Sequence, residues 1–260
     1  MDLFERAADF TALRGKKVLC LGLGGGADAI SAYACAAMAE AAGAVEAHYA
    51  NTKREPAAEL RWRSEHVGVV DGPPVPLDRA VRSGSIDIER SLPRGAGGSP
   101  LVVTIPREPS DALLKAIGAE LGAPGYDALL GIDTGGDVLR RKGRARSRDW
   151  QALRALASTG HDPLVVVLGL GSDGVSPEAL TRDLPAARSA YLGHFPLAPW
   201  RAPLERASVG LAETRTVRII LGALESSAPT ILVPRGSRAR VDRRWLIHGF
   251  VFRGAELLGA

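Results

Sequence analysis

Only two cysteines occur in 260 residues, too few for a disulfide framework, and no zinc-type Cys/His spacing accompanies them. Cys20 falls in an expected strand and Cys35 in the helix after it, so both read as small buried hydrophobes in a reducing compartment. Long apolar runs are missing too: Asp28 and Glu40 interrupt the Ala-rich stretch 27–47, which falls short of the ~20 apolar residues that span a bilayer. The opening Met1-Asp2-Leu3-Phe4-Glu5-Arg6 carries acids where a secretory signal needs bases, and no apolar segment follows. A cytoplasmic protein is therefore expected. Repeats and heptads are absent. Charge of one sign is scarce: 33 bases against 29 acids leave a net +4, which admits anionic ligands but lacks the dense basic face of a nucleic-acid binder.

What is present is core-forming material. A hydrophobic content of 46% with 24% charged residues excludes a disordered chain and supports a globular domain. Short β-branched runs alternate with helical patterns, the mark of a parallel sheet covered by helices. Lys17–Leu23 (strand), Asp28–Ala42 (helix) and Val45–Ala50 (strand) form the first right-handed crossover. Strands at Leu101–Ile105, Ala128–Ile132 and Leu164–Leu168 follow, with helices at Ser110–Leu121, where Ser110 is the N-cap, and Trp150–Ser158. Pro203–Leu224 reads as one long helix whose apolar stripe is either core or a homo-oligomer face. Thr230–Val233 is a strand and Gly249–Arg253 an edge strand. The expectation is a single α/β domain over 1–260: a Rossmann-like open, mostly parallel sheet in a three-layer α/β/α arrangement, with irregular loop-rich segments near 54–100 and 138–149.

Ligands of open α/β sheets sit at the carboxyl ends of the strands, and three glycine-rich loops with carboxylates fall there. In the first, Gly22, Gly24 and Ala27 satisfy a relaxed dinucleotide pattern, and Gly24, Gly25 and Gly26 let a ligand approach the backbone. Asp28, at the helix start, suits a cap or a metal ligand but repels a pyrophosphate. The second strand ends in Asn51-Thr52-Lys53-Arg54, without the ribose-binding acid of an NAD site, though a basic end suits NADP. In the second loop, Asp133 and Asp137 flank Thr134-Gly135-Gly136, and two carboxylates so spaced face one pocket, sharing a divalent cation or dividing acid and base roles. The third holds Gly171-Ser172-Asp173-Gly174. The inference is one site lined by Asp28, Asp133, Asp137 and Asp173. The basic run Arg140–Arg148 reads either as a flap over phosphates or as a solvated loop, and Arg235–Arg244 has the same two readings. His194 reads as a packing or surface histidine, with an acid or base role as the sharper alternative. No nucleophile-elbow serine is present.

The acid-bearing strand end is loosely similar to that of nucleoside N-ribohydrolases, whose cluster holds calcium and a nucleophilic water, although their additional consecutive acid is missing here. As an ordered set, Gly24-Gly25-Gly26-Ala27-Asp28, Asp133-Thr134-Gly135-Gly136-Asp137 and Gly171-Ser172-Asp173-Gly174-Val175 resemble a prokaryotic family known as domain of unknown function 1152. That family carries GGGGD, D-x-G-G-D and G-x-D-G-E. Ala27 replaces a glycine and Val175 an acid, which removes one carboxylate from any metal set. The family brings no established reaction. The residues lead to a small-molecule enzyme that binds a nucleoside, nucleotide or sugar-phosphate-like metabolite. Asp133, Asp137 and Asp173 are its catalytic candidates for hydrolysis, specifically of an N-glycosidic bond. Gly22, Gly24, Gly25, Gly26, Asp28, Thr134, Gly135, Gly136, Gly171 and Ser172 are the binding candidates. An NADP-dependent oxidoreductase and a non-catalytic ligand-binding module are the alternatives.

Overall fold

A computed structural model describes residues 3–76, 84–95, 97–140, 146–174, 176, 187–208, 215–233 and 240–259. Val175, most of the run Arg140–Arg148 (141–145) and part of Arg235–Arg244 (235–239) lie outside the described residues. The strands are β1 (Lys17–Gly22), β2 (Glu46–Lys53), β3 (Leu60–Trp62), β4 (Val67–Val70), β5 (Leu101–Thr104), β6 (Ala128–Thr134), β7 (Leu164–Leu168), β8 (Tyr191–Pro196), β9 (Thr230–Leu232), β10 (Arg240–Asp242) and β11 (His248–Arg253). The helices are α1 (Gly26–Ala41), α2 (Asp87–Ser91), α3 (Asp111–Gly122), α4 (Arg148–Ala157), α5 (Ala187–Ala190), α6 (Arg201–Ser208), α7 (Arg215–Glu225), α8 (Arg243–Leu246) and α9 (Gly254–Leu258).

Nine strands form one sheet in the order β3-β4-β5-β2-β1-β6-β7-β11-β8. From β5 to β7 every pairing is parallel, so the strand order reverses at β1, with β2 on one side and β6 on the other. That reversal opens a crevice at the carboxyl ends of β1 and β6. Among the central strands β1, β6 and β7 are largely apolar because both faces are covered, whereas β2 buries His48, Asn51, Thr52 and Lys53. Along β1, Val18 and Cys20 enter one core with α1, α6 and α7, while Leu19 and Leu21 enter the other with α3, α4 and α9. The expected three-layer α/β fold is thus present. In α1, Ala29, Ala32, Ala36 and Ala39 are buried; their small side chains let the helix lie close on β1 and β2. Ser110 caps α3 as expected, its Oγ accepting from the Leu113 N–H at 3.1 Å.

Three expectations need correction. The segment read as irregular holds β3, β4 and α2, and the two strands extend the sheet antiparallel to β5. They are three and four residues long, too short for a period to show. Gly249–Arg253 is not an edge: β11 lies between β7 and β8, antiparallel to both, with Phe250 and Phe252 in one core and Val251 in the other. Thr230–Leu232 is a strand, as expected, and pairs with β10 in a two-stranded ribbon apart from the main sheet. Finally, Pro203–Leu224 is not one helix. Arg201 Nη2 meets Glu225 Oε1 at 2.6 Å, whereas 24 residues of straight helix would separate them by about 36 Å. The apolar stripe belongs instead to two helices packed side by side, with Leu204, Val217 and Ile220 in the core; the connection, 209–214, lies outside the described residues.

Candidate functional site

A cleft of about 850 Å³ opens at the switch point, walled by the loops after β1 and β6, the ends of β2 and β7, and the start of α4. Short hydrogen bonds fix these loops to one another. The Leu23 N–H donates to Ile132 O at 2.9 Å and Thr52 Oγ1 to Leu23 O at 2.7 Å, which ties the first loop to both neighbouring strands. The Gly135 N–H donates to Leu168 O at 3.0 Å, and the Gly171 N–H returns the bond to Gly135 O at 2.8 Å. Gly135 has a φ of +113°, and a Cβ there would lie 2.7 Å from Asp173 Cβ, so glycine is what lets the second and third loops close up.

Five aspartates reach the cleft wall: Asp28, Asp133, Asp137, Asp149 and Asp173. The Thr134 N–H donates to Asp28 Oδ1 at 2.8 Å, with Thr134 Oγ1 held on Ser31 Oγ at 2.8 Å. Asp28 therefore bridges from its own helix to the end of β6 instead of capping α1. Asp133 is buried and accepts from the Val138 N–H at 3.3 Å. Gly24 lies between two carboxylates: a Cβ would stand 2.2 Å from Asp149 Oδ1 and 2.6 Å from Asp28 Oδ2. Asp137, at the rim, is half exposed and pairs with Arg140 at 3.1 Å.

Burial removes water from these groups and like charges surround them; both favour the protonated form. Burial, then the charge of Asp149, pushes Asp28 up to about 7 against the opposing hydrogen bonds from Thr134. Asp133 is driven well above the ordinary carboxylate range by burial and then by Asp28, Asp149, Asp137 and Asp173. Burial also raises Asp149, although Ser147 Oγ donates to its Oδ2 at 3.0 Å. Asp28 can thus give or take a proton near neutrality, beside two further carboxyls that hold their protons more tightly than usual.

Of the expected residues, Gly24, Gly25, Gly26, Asp28, Asp133, Thr134, Asp137 and Asp173 line the cleft. Gly22, Gly135, Gly136, Gly171 and Ser172 stand behind its wall and shape the loops; Ser172 is buried with its Oγ unpartnered. Missed from sequence were Asp149, Arg107, Ser85 and Thr216, which line it as well. Asp149 is the second residue of α4, where an acid is ordinary dipole chemistry, so only the fold reveals its proximity to Gly24. His194 is remote from the cleft: it lies on β8, bonds the Arg6 carbonyl through Nδ1 at 2.8 Å and packs on Phe4 and His248. Lys53, the basic strand end expected to suit NADP, is instead paired with buried Glu89 at 2.9 Å and bonded to Ser85 O.

A shared divalent cation needs several carboxylates turned to one point. Among the described residues no group of three or more His, Cys, Asp or Glu side chains has that arrangement. Among the described residues, too, no helix is long and apolar enough to cross a membrane. The chain matches no family model, no curated protein and no solved structure.

Proposed function

We propose that the cleft binds a ribosyl or similar polyhydroxylated metabolite and hydrolyses its N-glycosidic bond with aspartates alone. The observation that carries this reading is the convergence of Asp28, Asp133 and Asp149 in one cleft, with the proton affinities of all three raised. Carboxylates in different environments divide acid and base roles. Asp28, with a pKa near neutrality, is the base that takes a proton from water. Asp133, whose hold on its proton is strengthened by burial and by the surrounding aspartates, is the acid that donates to the departing nitrogen. Asp137 and Asp173 face the sugar and stabilise the positive charge that develops on the ring as the bond breaks. The acids flanking Gly24, and the commitment of Lys53 to Glu89, weigh for this reading over a pyrophosphate-bearing NADP.

The test is chromatographic detection of free base and free sugar from a panel of nucleosides and nucleotides. Turnover is expected to rise through about pH 7 as Asp28 ionises, the cluster titrating as a unit. Asp133→Asn is expected to lower kcat by about 10²–10⁴-fold while the melting transition persists. Base release by Asp133→Asn at the wild-type rate, or none by the wild type across the panel, would overturn the proposal.

A further inference from the structure

Beside the acid cluster the cleft continues into a second hollow of about 460 Å³, walled by Arg54, Arg107, Glu108, Arg146 and Arg148. Arg54, Arg107 and Arg148 line both cavities, so one ligand can touch both. Four guanidinium groups face one another here with Glu108 as the carboxylate of the hollow and Asp149 on the cleft side. Arg54 is held in place, its Nη1 donating to Pro106 O at 2.8 Å and to Gln151 Oε1, its Nη2 to Arg146 O at 3.3 Å. Among the described residues, Arg107, Arg146 and Arg148 form no ion pair with a carboxylate within 4.0 Å. The Arg148 Nε–H is buried without an acceptor, which is costly for a charged donor. Arg148 is also the first residue of α4, a ten-residue helix with no side-chain cap, so its charge sits on the positive end of the helix dipole, opposite to the favoured placement. The unpartnered Nε–H and the cation at the helix start are unfavourable and are relieved by an oxyanion, while Asp28 and Asp149 act on Arg148 only from the cleft side.

We infer that the arginine hollow is a phosphate subsite, so that the metabolite bound in the cleft carries a phosphate or diphosphate on the side away from the aspartates. This rests on the reading of the cleft as a ribosyl site and moves the anion from the first glycine loop, where Asp28 and Asp149 stand, to the mouth of α4. Guanidinium groups arriving from several directions match a tetrahedral phosphate with its several oxygens.

The experiment is calorimetric titration of the full chain with inorganic phosphate and pyrophosphate, then a comparison of KM for a nucleoside and its 5′-phosphate. Arg107 and Arg146 are exposed, so the double variant Arg107→Ala/Arg146→Ala is expected to fold. It should weaken pyrophosphate binding by at least about tenfold, whereas Arg63→Ala, an exposed arginine elsewhere, leaves it unchanged. In the wild type the 5′-phosphate is expected to have the lower KM, and the double variant closes that gap. Wild-type protein that binds neither anion, or a double variant that binds pyrophosphate as the wild type does, overturns the subsite even if nucleosides are cleaved. Pyrophosphate binding lost in the double variant, with no nucleotide turned over by the wild type, upholds the subsite and overturns the hydrolase.

Discussion

Two groups of buried charge lie on neighbouring strand ends, and they are built on opposite principles. At the end of β2, Lys53 meets Glu89 at 2.9 Å and Glu89 accepts from Asn51 Nδ2 at 2.5 Å, opposite charges with a hydrogen-bonding neighbour. At the ends of β1 and β6, Asp28 and Asp133 share their surroundings with Asp149 and, among the described residues, make no ion pair; Arg148 acts on Asp28 only as a more distant charge. The first arrangement pairs its charges and holds strand to helix, although Glu89 Oε2 stays buried without a hydrogen-bond donor. The second leaves like charges to compete for protons, a cost that a fold bears where proton transfer is needed. Pairing distinguishes the two more sharply than burial does, since Glu89 and Asp133 are almost equally hidden.

The largest expected effect on stability falls on the paired group. Lys53→Met leaves the buried Glu89 carboxyl with Asn51 as its remaining side-chain partner among the described residues, and breaking a buried pair in this way costs about 3–5 kcal/mol. Urea denaturation at pH 7 measures it, and the double variant Lys53→Met/Glu89→Leu is expected to recover much of the loss because no lone charge remains. A single-variant loss below about 1 kcal/mol would mean that the pair is solvated and that the contrast with the aspartates is false.

The acid cluster is expected to respond with the opposite sign. The pKa of Asp28 near 7 in the fold stands above its unfolded value of about 3.9. Between those values the folded state holds the extra proton, so stability is lost as pH rises from about 4 to 7, and the whole cost is present above 7. Asp28→Asn removes it, because the amide oxygen still accepts from the Thr134 N–H and no charge is buried. A gain in Tm of roughly 4 °C at pH 8 is expected, vanishing near pH 4, together with loss of turnover. A variant that melts below the wild type at pH 8 would show that the carboxylate is satisfied in the fold and is no functional strain.

The sequence made one of these groups visible and hid the other. Asp28, Asp133 and Asp173 were legible because each follows a strand and shares its turn with glycines, and the strand ends of a parallel sheet are neighbours. The central strands were legible for the same reason: β-branched runs buried on both faces carry a strong local signal. Asp149 was hidden because an acid in the first turn of a helix is ordinary, and its approach to Gly24 depends on the packing of α4 across the sheet. The Lys53–Glu89 pair was hidden because 36 residues separate the partners and only the fold of β2 against α2 joins them. The pairing of α6 with α7 was illegible in a related way, since an apolar stripe has the same period in one helix as in two. The meeting of the arginines around Arg148 depends on loops after β2 and β5 and on the start of α4, which no local pattern connects.

The smallest expected effect tests whether an ion pair stabilises through its charges or through burial. Arg201 is doubly paired, with Glu205 and with Glu225, both at 2.6 Å, and by distance alone it exceeds the Lys53 pair. All three side chains are roughly half exposed, however, so water solvates the charges in the folded and unfolded states alike and screens their attraction. Arg201→Ala is accordingly expected to leave the urea midpoint nearly unchanged, and the little that is lost should disappear as salt is raised, whereas the loss from Lys53→Met persists in salt. The bridge joins the first residue of α6 to the last of α7, yet those helices are held by Leu204, Val217 and Ile220 beneath it. If Arg201→Ala instead matched Lys53→Met in effect, the α6–α7 pair would depend on its surface charges, and burial would no longer separate the charges that hold this fold from those that decorate it.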